Sequence, residues 1–139
     1  MSSFPWNNPT SRTTGIASES ISDGAGYVGS EIDNSINLDD HLDVEVVLTP
    51  AVAPSGNTAA YLYLLYSDGS NYEDGGVSVQ PVKVPVASIL VRASTSAQRV
   101  VIDRIPIPPK PLKIMVWNGC GQSVTATVTA KSYRGGYSA

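Results

Sequence analysis

The chain has 139 residues, enough for one domain with its own core, and only 15% of them are charged. Its formal net charge is −3 and its pI about 4.9, and a single cysteine, Cys120, excludes an intrachain disulfide framework and suits a reducing compartment. No apolar run approaches the roughly 20 residues that a bilayer span needs, and Gly, Pro, Ser, Thr and Val dominate over helix formers, which points to an all-β fold.

The first stretch, residues 1–38, is rich in Ser, Thr, Asn and Gly, with isolated apolar residues at Phe4, Trp6, Ile16, Ile21, Tyr27, Val28, Ile32, Ile36 and Leu38. It is too polar to form a core and too decorated to be a simple linker. It reads as an extended N-terminal arm that docks on something already folded, although residues 1–15 read equally well as a loosely ordered tail. The start, Met1-Ser2-Ser3-Phe4-Pro5-Trp6, has neither a basic nor an apolar leader region, so no signal peptide is expected. Gly24-Ala25-Gly26-Tyr27-Val28-Gly29 fits a dinucleotide-binding spacing only formally, with no strand expected before it and no helix after it.

From residue 39 to 139 the chain reads as short strands separated by turn chemistry. Asp43 to Leu48 alternates, with Val44, Val46 and Leu48 inward. A loop runs from Thr49-Pro50 to Asn57. Ala59 to Tyr66 follows as a strand with Tyr61 and Tyr63 on one face and Leu62, Leu64 and Tyr66 on the other. Both faces of that strand are apolar or aromatic. Either both are covered within the domain, or the tyrosine face meets another protein.

Ser67 to Gly76 is a long polar turn, and Val77 to Val84 a broken strand whose Pro81, with Pro85 just beyond, suits a sheet edge. Ser88 to Arg92 and Arg99 to Ile105 pair as a hairpin around Ser94-Thr95-Ser96-Ala97. The run from Ile105 to Pro111 is extended and rigid. Leu112 to Trp117 puts Leu112, Ile114 and Val116 on one face, and the last strand alternates Val124, Ala126, Val128 and Ala130 with a ladder of threonines. About seven or eight strands at roughly 8–12-residue spacing predict an antiparallel β-sandwich, with a jelly roll as the preferred topology.

Charge is sharply segregated. Through Asp74 the chain carries eleven of its twelve acids and one base, Arg12; beyond it lie Asp103 and the other eight bases. Interleaved strands would mix these charges within one molecule. Otherwise opposite faces of opposite sign favour association with copies or with a charged partner.

Catalytic chemistry finds little to work with. His41 is the only histidine and has no nucleophile elbow or comparable context, so it reads as a surface histidine among carboxylates. Cys120 sits in Gly119-Cys120-Gly121, where it is either an exposed, reactive thiol or a small residue that fits its loop. One His and one Cys serve zinc poorly. The Asp68–Asp74 loop is rich in oxygen ligands but lacks EF-hand spacing, and Asp-Gly with Asn is also what a solvated turn requires. No catalytic residue, metal or cofactor is expected. The acidic pI argues against nucleic-acid binding.

The acidic lead-in Asp39-Asp40-His41-Leu42-Asp43-Val44, the loop at Pro54-Ser55-Gly56-Asn57 and the run Tyr61 to Tyr72 together resemble the small auxiliary virion proteins of tailed bacteriophages. Leu112 to Gly119 followed by a Thr-rich closing strand fits the same pattern. The resemblance covers residues 39 to 133 through diffuse strand patterns, without a signature residue. It implies a jelly-roll capsid decoration or cement protein, made in the host cytoplasm and carried on the capsid surface. Its partners would be the major capsid protein and copies of itself, as a dimer or trimer, with no membrane or nucleic acid involved. The expected contact residues are Phe4, Trp6, Ile16 and Ile21 of the arm and Tyr61 and Tyr63 of the tyrosine strand. The competing reading is a carbohydrate-binding module or tail-associated component, stacking sugars on Trp117 and the tyrosines.

Overall fold

A computed structural model describes residues 13–134. In chain order the elements are β1 (Thr13–Ile21), β2 (Ala25–Asp33), the four-residue α1 (Asn34–Asn37), β3 (His41–Pro50), β4 (Thr58–Tyr66), β5 (Ala87–Val91), β6 (Gln98–Pro106), β7 (Pro111–Gly119) and β8 (Val124–Tyr133). They form two four-stranded sheets, ordered β1-β8-β3-β6 and β2-β7-β4-β5. The pairs β1·β8, β2·β7, β3·β6 and β4·β5 are all antiparallel, as if one long ribbon had been wound upon itself. That winding is the jelly roll.

Period-2 alternation builds the core between the sheets. Leu42, Val44, Val46 and Leu48 of β3 and Val124, Ala126 and Val128 of β8 face Ala60, Leu62 and Leu64 of β4 and Leu112, Ile114 and Val116 of β7. Nearly all are completely buried, and each such Val, Leu or Ile contributes roughly 1.5–3 kcal/mol relative to exposure. The inward faces expected of β3 and β8 are those observed, and the core takes the Leu112-Ile114-Val116 face of β7 and the leucine face of β4.

The edges of the sandwich differ from expectation. β1 and β2 are hydrogen-bonded strands of the two sheets, so the boundary between residues 38 and 39 is not a division of the fold. Ile16 and Ile21 are 1% and 2% exposed and belong to the core, which removes them as contact residues and makes residues 13–33 part of the sandwich, not an arm. A truncation of residues 1–30 would therefore strip β1 and most of β2 from the fold. Register shifts at Thr14/Ile16, Ile16/Glu19 and Val28/Glu31, with Ser18 at φ 54, break the alternation that would have marked these strands.

β5 and β6 are not a hairpin. β5 pairs with β4 and β6 with β3, and the segment between them crosses from one sheet to the other. The Gln98 side chain secures the crossing, accepting from Arg92 N–H at 3.0 Å and donating to the Leu90 carbonyl at 2.6 Å. The expected strand from Val77 to Val84 is also absent. Only an isolated bridge, Gly76 to Val79, occurs there.

Candidate docking surface

The two outer sheet faces differ in kind. On the sheet containing β8, Thr125, Thr127 and Thr129 lie opposite Thr49, Val47 and Glu45, a largely polar surface. On the other sheet Tyr63, Leu65 and Met115 form a second, smaller apolar cluster, flanked by Val28, Tyr61, Tyr72 and Trp117. A sheet face of that composition needs a cover, and the β4–β5 connection, residues 67–86, supplies it.

This excursion leaves β4 through a turn in which Asp68 Oδ1 accepts the Ser70 and Asn71 N–H groups, each at 2.8 Å. Those bonds hold the Asp68 carboxyl below its usual pKa. Glu73 N–H then donates to the Tyr66 carbonyl, and Tyr66 N–H donates to Glu73 Oε1, both at 3.0 Å. Burial works against the Glu73 carboxylate, but the Tyr66 N–H and the Lys83 ammonium at 3.0 Å outweigh it and lower its pKa. Gly75 passes so close to the sheet that a Cβ there would lie 2.9 Å from both Leu65 Cδ1 and Met115 Sδ. Further along, Gly26 N–H donates to the Val77 carbonyl, Gln80 Nε2 to the Tyr63 hydroxyl, Lys83 Nζ to the Leu64 carbonyl and Val86 N–H to the Leu62 carbonyl, at 2.8–3.0 Å. The excursion is thereby tied to β2 and β4.

Tyr63 is only 3% exposed as a result, and Tyr61 is half-buried beside it. The tyrosine face is covered from within the chain, so Tyr63 is not a contact residue. Phe4 and Trp6 lie outside the described residues.

What the excursion presents outward was not anticipated. Pro81, Lys83 and Pro85 turn toward the sheet, while Val82 and Val84 are almost fully exposed and Val86 about a third exposed. An extended segment with period 2 would ordinarily bury its valines and expose its lysine; here the polarity is reversed. Val77, Val79 and, on β5, Leu90 extend the apolar exposure along the same stretch of chain. The signal was legible in the sequence as Val82, Val84 and Val86 against Pro81, Lys83 and Pro85, but prolines read as edge-strand markers masked it.

Beneath one flank of the excursion lies an open groove of about 430 Å3, bounded by Tyr27, Val28, Leu65, Tyr72, Val77 and Lys113. The Tyr72 hydroxyl donates to the Glu31 carboxylate, and Lys113 Nζ sits 4.3 Å above the Tyr72 ring. Burial, reinforced by the Glu31 carboxylate, pushes the Tyr72 phenol up to about 12 from 10.0. A raised phenol pKa means the folded state holds the proton longer than the unfolded chain does. The stabilisation is complete below pH 10.0 and is lost as pH rises to about 12. Denaturant midpoints measured across that interval are expected to fall more steeply for the wild type than for Tyr72→Phe. Equal slopes would show that Tyr72 does not hold the excursion by this bond.

Other sequence candidates resolve locally. His41 Nδ1 is 2.7 Å from Asp40 Oδ1 and its ring stacks on Tyr133 at 5.5 Å, whereas the Ser132 hydroxyl donates to Asp39, not to the imidazole. Cys120 is buried, its thiol 3.2 Å from the Gln122 carbonyl, so it fits its loop and is not an exposed thiol. Among the described residues no three His, Cys, Asp or Glu side chains group as metal ligands, and no helix is long and apolar enough to cross a membrane.

No family model matches the chain, and no curated protein matches it either.

Proposed function

We propose that the chain is a non-enzymatic structural protein of a bacteriophage virion, a decoration or cement protein that docks on the major capsid protein through the valine face of residues 77–86. The observation that carries this reading is the reversed polarity of the excursion, which spends Lys83 and two prolines inward and exposes Val82 and Val84. A rigidly tied, apolar, uncharged ridge is suited to fill a groove on another protein. Jelly rolls are common in capsids and lectins alike, so the fold agrees with the reading without deciding it.

The competing carbohydrate-binding reading places stacking on Trp117 and the tyrosines; Trp117, Tyr61 and Tyr72 pack against the Tyr63 cluster, with an open groove beside Tyr72. There a sugar would need a free aromatic face, and Lys113 stands over the Tyr72 ring while Glu31 takes its hydroxyl. The valine ridge is the better-supported surface.

Cosedimentation with heads of the encoding phage that lack this protein tests the assignment. Burying a valine contributes roughly 1.5–3 kcal/mol, so Val82→Asp with Val84→Asp is expected to weaken binding by about 100-fold or more. Val52→Asp, at an exposed valine in the loop after β3, should bind as the wild type does. Undiminished binding by the double variant, or no binding by the wild type, would overturn the proposal.

A further inference from the structure

The jelly-roll winding sets β1 and β2 at one lateral edge of the sandwich and β5 and β6 at the other. These edges carry opposite charge. From Thr13 to Asp33 there are four acids, Glu19, Asp23, Glu31 and Asp33, and no Lys or Arg. From Ala87 to Pro106 there are three arginines, Arg92, Arg99 and Arg104, and one acid, Asp103. The winding alternates strands of the two sequence halves in each sheet and so mixes much of this charge, but it leaves the two lateral edges with opposite sign. Their strands stand apart across the width of the sandwich, at a net −4 against a net +2.

The acidic edge does not neutralise itself. Among the described residues none of the four acids forms an ion pair; Asp23 accepts from the Gly121 N–H, Glu31 from the Tyr72 hydroxyl and Asp33 from Ser35. Lys113, opposite Glu31 in the β2–β7 register, is turned onto the Tyr72 ring. Across the molecule Arg99 and Arg104 approach Glu45 and Asp103 only to 3.9 Å, with arginine side chains 70% and 82% exposed. Pairs of that kind contribute little to stability, so either arginine can exchange its carboxylate for one on another molecule at small cost. Leu90 and Val101, 65% and 60% exposed on β5 and β6, add apolar area beside the arginines.

We infer that copies of this chain associate head to tail, the arginine edge of β5 and β6 in one copy against the acidic edge of β1 and β2 in the next. Like edges repel, which disfavours a two-fold dimer built on either edge alone. A contact between two different surfaces is heterologous, so it closes into a ring or continues as a chain. That copies meet at all belongs to the assembly reading above, on which this contact rests. The charges set register and partner choice, and the apolar residues supply the dehydrated area.

Sedimentation velocity of the full chain over a wide concentration range tests the contact without any shell present. Charge attraction across the edges reaches about 30 Å in 0.01 M salt and only about 3 Å in 1 M salt. Association is expected in the dilute salt and should weaken by about tenfold or more in the concentrated salt. Arg99→Glu with Arg104→Glu should give a folded monomer, as should Glu19→Lys with Glu31→Lys, with folding checked by circular dichroism. An equal mixture of the two variants should associate again, because each then offers the other an edge of opposite sign.

A wild type that stays monomeric in dilute salt would overturn the inference. Association that strengthens with salt, or that survives in the arginine variant, would overturn it as well by placing the contact on an apolar surface. Docking on heads by the valine ridge is read separately, by the cosedimentation.

Discussion

Asn118→Ala is expected to destabilise the protein by about 3 kcal/mol, one of the largest effects available to a single surface-neutral change. Asn118 is completely buried at the end of β7. Its Nδ2 donates to the Ile21 carbonyl at 2.9 Å and the Gln122 carbonyl at 2.7 Å, and its Oδ1 accepts the Cys120 N–H at 3.0 Å. One side chain therefore joins the end of β1 to the turn between β7 and β8. Alanine would leave the buried Cys120 N–H without its acceptor and two carbonyls without their donor, each at a cost of roughly 1 kcal/mol or more. Asn118→Asp should be no better, because it keeps the acceptor but turns a negative charge toward two carbonyl oxygens. Urea unfolding with an unchanged m-value reads the loss as a lower midpoint. A change below about 0.5 kcal/mol would mean that the turn holds without this residue.

Gly29→Ala is expected to be comparably severe, at about 3 kcal/mol or more. β1 and β2 cross between the two sheets, and a Cβ on Gly29 would run into the Gly15 carbonyl oxygen and stand 2.9 Å from its carbonyl carbon. Both obstacles are backbone, so no rotamer change relieves them. Irregular pairing on both strands, at Thr14/Ile16 and Val28/Glu31, accompanies the close approach. Thermal unfolding of Gly29→Ala beside Gly56→Ala separates crowding from the ordinary effect of adding a methyl group, since a Cβ at Gly56 meets nothing within 4 Å. Equal stabilities for the two variants would contradict the account of the crossing.

The parts of the fold legible in the sequence share a physical property. β3, β4, β7 and β8 are the interior strands of their sheets, and their alternation or double-sided apolarity is dictated by neighbours on both sides. The strands read as an arm, β1 and β2, and those read with the wrong partner, β5 and β6, are the four edges. Edge strands carry bulges, polar residues and breaks that spare them from pairing with other chains, and these features erase period 2. The short turn at Ser94-Thr95-Ser96-Ala97 suits a hairpin and a crossing between sheets equally well. Which one forms depends on where β3 and β4 offer a free edge, which is information held far away in the chain.

The candidate surface was half legible. Tyr61 and Tyr63 correctly signalled a sheet face that must be covered, and the excursion after Tyr66 shows that the cover comes from the same chain. The tyrosine face is the seat of the excursion that presents Val82 and Val84 outward. The binding candidates moved outward by one layer, to Val82 and Val84, where exposure and not residue type distinguishes them.

Electron cryomicroscopy of phage heads saturated with the protein tests that displacement most directly. The expected density places residues 77–86 against the shell, with Val82 and Val84 buried at the contact and the threonine face of β8 toward solvent. A protein bound through the threonine face with the valine ridge in solvent, or no density for it on the head, would contradict the proposed role.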